Sequence, residues 1–118
     1  YMGERVVFNK KLSQLDYLTF RYSDLIADFV SSRLLVRDTA TKCDEDDPEY
    51  RTMTAITKLV VPDKCSKIVD MCLQIHGGYG YLASYGIEKM LRDLRVHSIL
   101  EGSSEVMRLI MAREQFKV

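Results

Sequence analysis

Missing from this chain are an excess of charge of one sign, cysteines at disulfide or zinc spacing, and any long apolar run. Lys plus Arg and Asp plus Glu are equal, 17 each in 118 residues, so no net field favours nucleic acid or an anionic membrane surface. Cys43, Cys65 and Cys72 are odd in number and contain no CxxC, which suits reduced thiols inside a cell better than a disulfide framework. No apolar stretch approaches the ~18–20 residues of a membrane span, and Tyr1-Met2-Gly3-Glu4 has no feature of a signal or transit peptide. The opening Y-M-G-E-R-V-V-F reads as helical and as starting in mid-course. The expectation is one small domain, residues 1–118, at the tail of a longer protein.

Metal ligands are equally short. A di-iron centre in a helical bundle needs Glu-x-x-His, and neither His76 nor His97 has a Glu three residues before it. No HExxH occurs. The acid run Asp44-Glu45-Asp46-Asp47-Pro48-Glu49 lacks the glycine of a calcium loop and reads as a solvated connection. No metal is expected. The glycines of H-G-G-Y-G-Y, residues 76–81, match neither G-x-x-x-x-G-K-[ST] nor a G-x-G-x-x-G after a strand.

What is present is helical periodicity. Over residues 16–42, Leu18, Tyr22, Leu25, Ile26, Phe29, Leu34 and Val36 recur near i, i+3, i+4 spacing, with Asp16 as a plausible N-cap. A second helix should run from about Glu49 toward Ile75, kinked or broken near Val60-Val61 by Pro62. His76-Gly77-Gly78 should stop it. A third helix is expected over 83–95, carrying Ile87, Met90, Leu91 and Leu94. A fourth should start at Ser103 or Ser104 and carry Val106, Met107, Ile110 and Met111. No strand-length alternation is evident, so the pattern predicts an all-α, up-and-down helical bundle.

Two stretches could carry chemistry. In H-S-I-L-E-G-S-S-E-V-M-R, residues 97–108, Glu101 could simply favour a helix N-terminus through the dipole. It could equally be a base, with Gly102 keeping its surroundings open and Ile99-Leu100 forming an apolar wall that desolvates it. Gly77 and Gly78 could be a helix stop, or backbone that a flat or phosphorylated ligand can approach.

Four motifs, R-V-V-F (5–8), Q-I-H-G-G-Y-G-Y (74–81), M-L-R-D-L-R-V (90–96) and I-L-E-G-S-S-E-V-M-R (99–108), occur in an order and spacing that closely resemble the C-terminal helical domain of the acyl-CoA dehydrogenases. Y-L-T-F (17–20) and S-R-L-L-V-R (32–37) most resemble the branch acting on isobutyryl-CoA in valine breakdown. The first helix of such a domain would precede Tyr1. The resemblance implies FAD-dependent α,β-dehydrogenation of a short branched acyl-CoA in the mitochondrial matrix, by a homotetramer that passes electrons to an electron-transferring flavoprotein. Glu101 falls on the family's base, which removes the α-proton as the β-hydrogen leaves as hydride to the flavin. Gly102 would leave room for the thioester and Arg113 would lie near the CoA moiety.

By the same resemblance Ser103 and Glu105 touch the flavin, and Arg5 and Phe8 reach the FAD of a neighbouring subunit. Gln74, Ile75, His76, Gly77 and Gly78 approach its adenosine half, while Tyr79 and Tyr81 are packing and turn residues. Three positions depart from the pattern: Asn9 stands where relatives have Gly, Asp16 where they commonly have Gln, and Pro62 inside a helix usually free of it. The rest of the flavin and acyl-CoA pocket would come from preceding domains, so the fragment alone should be inactive. The alternatives are a non-catalytic oligomerisation bundle, or a dehydrogenase of another short-chain acyl-CoA.

Overall fold

The computed structural model describes residues 1–116. Two long helices form its frame, α1 at Asp16–Asp44 and α2 at Tyr50–His76. Two shorter ones follow, α3 at Ile87–Val96 and α4 at Ser104–Phe116. Helices α1, α3 and α4 all pack on α2, which is the centre of the bundle. Thr39 and Thr57 share a hydrogen bond of 2.6 Å, Lys64 pairs with Asp28 at 2.7 Å, and Cys43 meets Thr54. Partner numbers fall on α1 as they rise on α2, so the two helices are antiparallel. The all-α up-and-down bundle is what the chain forms.

The acid run makes the reversal between α1 and α2. Lys42 Nζ reaches Asp47 at 3.3 Å and Glu49 at 3.2 Å, and Asp47 Oδ1 accepts the Glu49 backbone N–H at 2.7 Å. That N–H, and after it the Lys42 ammonium, holds the Asp47 carboxyl below the ordinary aspartate range. The connector is therefore a built turn, with Asp47 committed to Lys42 and to backbone and Glu49 to Lys42.

The face of α1 that packs on α2 differs from the apolar stripe read in the sequence. Leu18, Thr19, Leu25, Asp28, Ser32, Leu35, Thr39 and Lys42 are the buried or half-buried positions, spaced from Leu25 onward by threes and fours as in a coiled-coil seam. Tyr22, Ile26, Phe29, Leu34 and Val36 stay exposed. Small side chains explain the choice: Ser32, Thr39 and Ala55 are 4, 7 and 2% exposed and let the two axes approach. The accessible surface is 8559 Å², against roughly 6600 Å² for a compact monomer of this mass. Extents of 59 × 24 × 23 Å describe the same elongation. About 2000 Å² of surface is thus in excess of what a self-contained domain shows.

Four local expectations need correction. The helical opening is instead a turn and a hairpin, β1 (Val6–Val7) paired antiparallel with β2 (Lys10–Lys11). Phe8 and Asn9 connect them at φ of 50° and 60°, the geometry of a two-residue primed turn. Asn9 takes the left-handed backbone that glycine would otherwise supply. Asp16 is the first residue of α1 and not its cap, since Leu15 occupies the cap position with extended backbone. Of the kink or break expected at Pro62, the break does not occur: helix α2 is continuous from Tyr50 to His76, although the ring removes the N–H that would bond the Lys58 carbonyl. The third helix starts at Ile87, four residues late, because Gly86 sits at φ 72° after a short 3-10 turn at Ala83–Tyr85.

Candidate active site

Helix α3 unwinds into a tight turn before α4. The amides of Ile99 and Leu100 both bond the Val96 carbonyl, at 2.9 and 3.0 Å. Glu101 then sits at φ 54° and Gly102 at φ 98°, and the Ser103 carbonyl accepts the Met107 N–H at 3.0 Å to begin α4. Positive φ is costly for a residue with a Cβ, so something must hold Glu101 there. Two groups do. A Cβ on Gly102 would lie 2.6 Å from Met107 Cε, so the buried Met107 fills the space the glycine leaves. From α2, Lys58 Nζ donates to the carbonyls of His97 and Leu100, the latter at 3.1 Å.

Glu101 faces a cleft of about 590 Å³ that it shares with Arg113, Lys58 and Tyr50 over a floor of Ala55, Met107 and Ile110. Two charged residues singled out separately in the sequence are thereby brought together. Gly102 is not in the lining; its role here is the turn and the seat for Met107. The expected apolar wall is also absent: Ile99 is 57% exposed and lines a different cleft, and Glu101 itself is exposed. The reversal through residues 101–103 sends Ile99 and Glu101 to different sides, so this chain by itself does not desolvate the carboxylate.

That second cleft, about 710 Å³, holds Ser103 and Glu105 together with Ser98, Lys67 and Arg108. The Ser103 hydroxyl, and after it the Glu105 backbone N–H, keeps the Glu105 carboxyl below the ordinary glutamate range. The pair thus presents an ionised acceptor and a hydroxyl at the start of α4.

A third cleft of about 370 Å³ gathers Arg5, Gln74, Ile75, His76, Gly77 and Gly78. Gly77 ends α2 at φ 57°, and a Cβ on either Gly77 or Gly78 would have nothing within 4 Å, so this backbone is open to approach. His76 Nδ1 lies 2.7 Å from the Cys72 carbonyl, and Tyr1 stacks on the imidazole at 4.1 Å. The Arg5 guanidinium lies 5.5 Å from the Tyr79 ring centroid, and Tyr79 leans on Tyr85 at 5.6 Å. Tyr79 therefore steadies Arg5 as well as packing. Gly80 is required for another reason, since a Cβ there would come within 2.7 Å of the Leu73 carbonyl. Phe8 lies outside the cleft at the hairpin tip, 94% exposed. The sequence reading missed Lys58 altogether and saw in Tyr79 only a packing and turn residue; a lysine bonded to backbone 39 and 42 residues away leaves no local pattern to find.

Residues 1–116 match the family described as acyl-CoA dehydrogenase, C-terminal domain. The chain is 42% identical over 113 residues to the mitochondrial isobutyryl-CoA dehydrogenase of Bos taurus and 44% identical to that of Dictyostelium discoideum. In both cases the match covers 96% of this chain and 27% of the relative. The structure superposes on butyryl-CoA dehydrogenase from Megasphaera elsdenii with a TM-score of 0.93 at 30% identity, over 98% of this chain and 30% of that one. The chain belongs to the acyl-CoA dehydrogenase family, in the part that forms its C-terminal helical domain.

Proposed function

We propose that this chain contributes the catalytic base, and part of the cofactor and substrate walls, of an FAD-dependent acyl-CoA dehydrogenase acting on a short branched thioester, isobutyryl-CoA. The observation that carries the reading is Glu101, a carboxylate at positive φ that lines a 590 Å³ cleft together with Arg113. In this reading Glu101 accepts the α-proton of the thioester, which becomes acidic once its carbonyl oxygen is polarised by donors. Arg113 offers a forked donor to the CoA phosphates. The identities of 42 and 44% to two isobutyryl-CoA dehydrogenases support the substrate class.

The third cleft fits a diphosphate: an arginine stands beside glycine backbone with open space in front of it. Arg5 would hold that part of FAD, with Gln74 and the 75–78 backbone against its adenosine half and Ser103 and Glu105 near the flavin. When bound, FAD supplies the acceptor for the β-hydride. Asp16 is exposed; the family resemblance implies a Gln contact to the cofactor at this position, and a carboxylate there would repel phosphate instead.

The chain spans about a quarter of the relatives' length, so the remaining walls, including the desolvation Glu101 lacks here, come from other parts of the protein. The excess surface, with Tyr17, Phe20, Phe29 and Leu34 exposed along α1, supports a homotetramer built through this domain. A mitochondrial matrix location and an electron-transferring flavoprotein as acceptor belong to the same proposal. Among the described residues no helix is long and apolar enough to cross a membrane.

The test uses the full-length protein mixed anaerobically with acyl-CoAs, reading loss of flavin absorbance. Reduction should be fastest with isobutyryl-CoA, and Glu101→Gln should bind the thioester yet reduce about 10²–10⁴-fold more slowly. Equal rates for the two proteins would remove Glu101 as base; a straight-chain optimum would change the substrate; a colourless protein would leave only an oligomerisation bundle. Residues 1–118 alone should show no turnover.

A further inference from the structure

We infer that Lys58 is a positioning residue for Glu101, an inference that rests on the reading of Glu101 as the base. Lys58 lies on α2, one turn past the buried Ala55. Its ammonium donates to the carbonyls of His97 and Leu100, the latter at 3.1 Å. These are carbonyls left without helical donors where α3 ends, and a cation is favoured there by the helix dipole as well. Among the described residues the ion pairs made by lysines belong to Lys42, Lys64 and Lys89, while the Lys58 ammonium is directed at backbone oxygen.

The position of those oxygens makes the contact more than a cap. The Leu100 carbonyl and the Glu101 N–H belong to one peptide unit, so the ammonium fixes the plane from which Glu101 projects. Glu101 needs such support. It sits at φ 54° and is followed by Gly102 at φ 98°, and neither residue resists relaxation of the turn by its own preference. Met107 fills the space beside Gly102, while Lys58 grips the carbonyls that lead into the turn. Lys58 also lines the same cleft as Glu101, so the turn is fastened from the side on which the base works.

The experiment compares Lys58→Met and Lys58→Arg, each alone and combined with Glu101→Gln, in the full-length flavoprotein. It reads the rate constant of flavin reduction by isobutyryl-CoA, the dissociation constant of the thioester and the flavin content. A base displaced by about 1 Å loses on the order of 100-fold. Lys58→Met should therefore reduce about 100-fold more slowly, with thioester binding within about threefold of wild type. Lys58→Arg should recover part of the rate. In the Glu101→Gln background, Lys58→Met should add less than about threefold, because the two residues act as a unit. A wild-type reduction rate in Lys58→Met, or a loss that multiplies in full with that of Glu101→Gln, overturns the inference. Should Lys58→Met fail to retain flavin, Lys58→Arg and Lys58→Gln are read in the same way, and wild-type rates in both overturn it. A wild-type rate in Glu101→Gln alone would show that the base reading had failed, and the role of Lys58 would fall with it.

Discussion

At Phe8-Asn9 the chain reverses through φ of 50° and 60°, at the tip of two-residue strands and with Phe8 94% exposed. At Glu101-Gly102 it reverses through 54° and 98°, with Met107 filling the space beside it and Lys58 bonded to the carbonyls that lead into it. Both turns hold side-chain-bearing residues at positive φ, and both carry a residue proposed for the site, Phe8 in one and Glu101 in the other. One is fastened by its own domain. The other is the tip of a hairpin of two residue pairs, anchored at its base by the Leu12 N–H on the Arg5 carbonyl at 3.0 Å, but among the described residues its aromatic tip packs against nothing, with Phe8 94% exposed. In the proposed function this difference is expected: a base must be preorganised before substrate arrives, whereas a residue proposed to reach into a neighbouring subunit can be ordered by what it docks against.

Breaking the fastened turn should have the larger effect. Gly102→Ala forces a Cβ into a left-handed backbone and into Met107, and should destabilise the protein by about 2–4 kcal/mol in denaturant unfolding. Combining it with Met107→Ala should relieve the steric part and leave about 1–2 kcal/mol attributable to the backbone. A neutral Gly102→Ala would mean that the turn is not clamped at all. At the hairpin, Asn9→Val should weaken retention of FAD by roughly 5–30-fold, the equivalent of about 1–2 kcal/mol of strain. Asn9→Gly should retain FAD as wild type does, read as flavin released on dilution. Equal retention in both variants would show that the primed turn is not needed.

The smallest effect lies at the connector, remote from both turns. Because the Asp47 carboxyl is held below its ordinary range, chiefly by the Glu49 N–H, its contribution is present at neutral pH and fades as pH falls through and below the ordinary carboxylate range. The Lys42 ammonium, raised chiefly by its hydrogen bond to Glu49, contributes until pH rises beyond the ordinary lysine range. The difference in unfolding midpoint between wild type and Asp47→Asn should therefore shrink from about pH 7 to about pH 3. A difference that stays constant contradicts this assignment.

Much of this was legible in the residues. The lengths of α1 and α2, the glycine stop at Gly77 and the restart at Ser104 follow from periodicity and capping chemistry. The face that α1 buries was not. Tyr22, Phe29 and Leu34 have the spacing of a core stripe, yet periodicity cannot say whether the surface they meet lies in the same chain; here it is Ser32 and Thr39 that are buried. The hairpin is too short for alternation to register. Ile99 stands two residues before Glu101, but the reversal at 101–103 turns it to another cleft. The grip of Lys58 on the Leu100 carbonyl pairs a side chain with backbone 42 residues away, and no motif encodes that.

The most direct measurement is exchange of the α-proton itself. The oxidised full-length protein is incubated in D2O with an isobutyryl-type CoA thioester that has no β-hydrogen to lose, and deuterium entering the α-position is followed by NMR. The account predicts rapid exchange with wild type and at least about 100-fold slower exchange with Glu101→Gln. Equal exchange by the two proteins would contradict it and reduce Glu101 to an acid that ends one helix and precedes another.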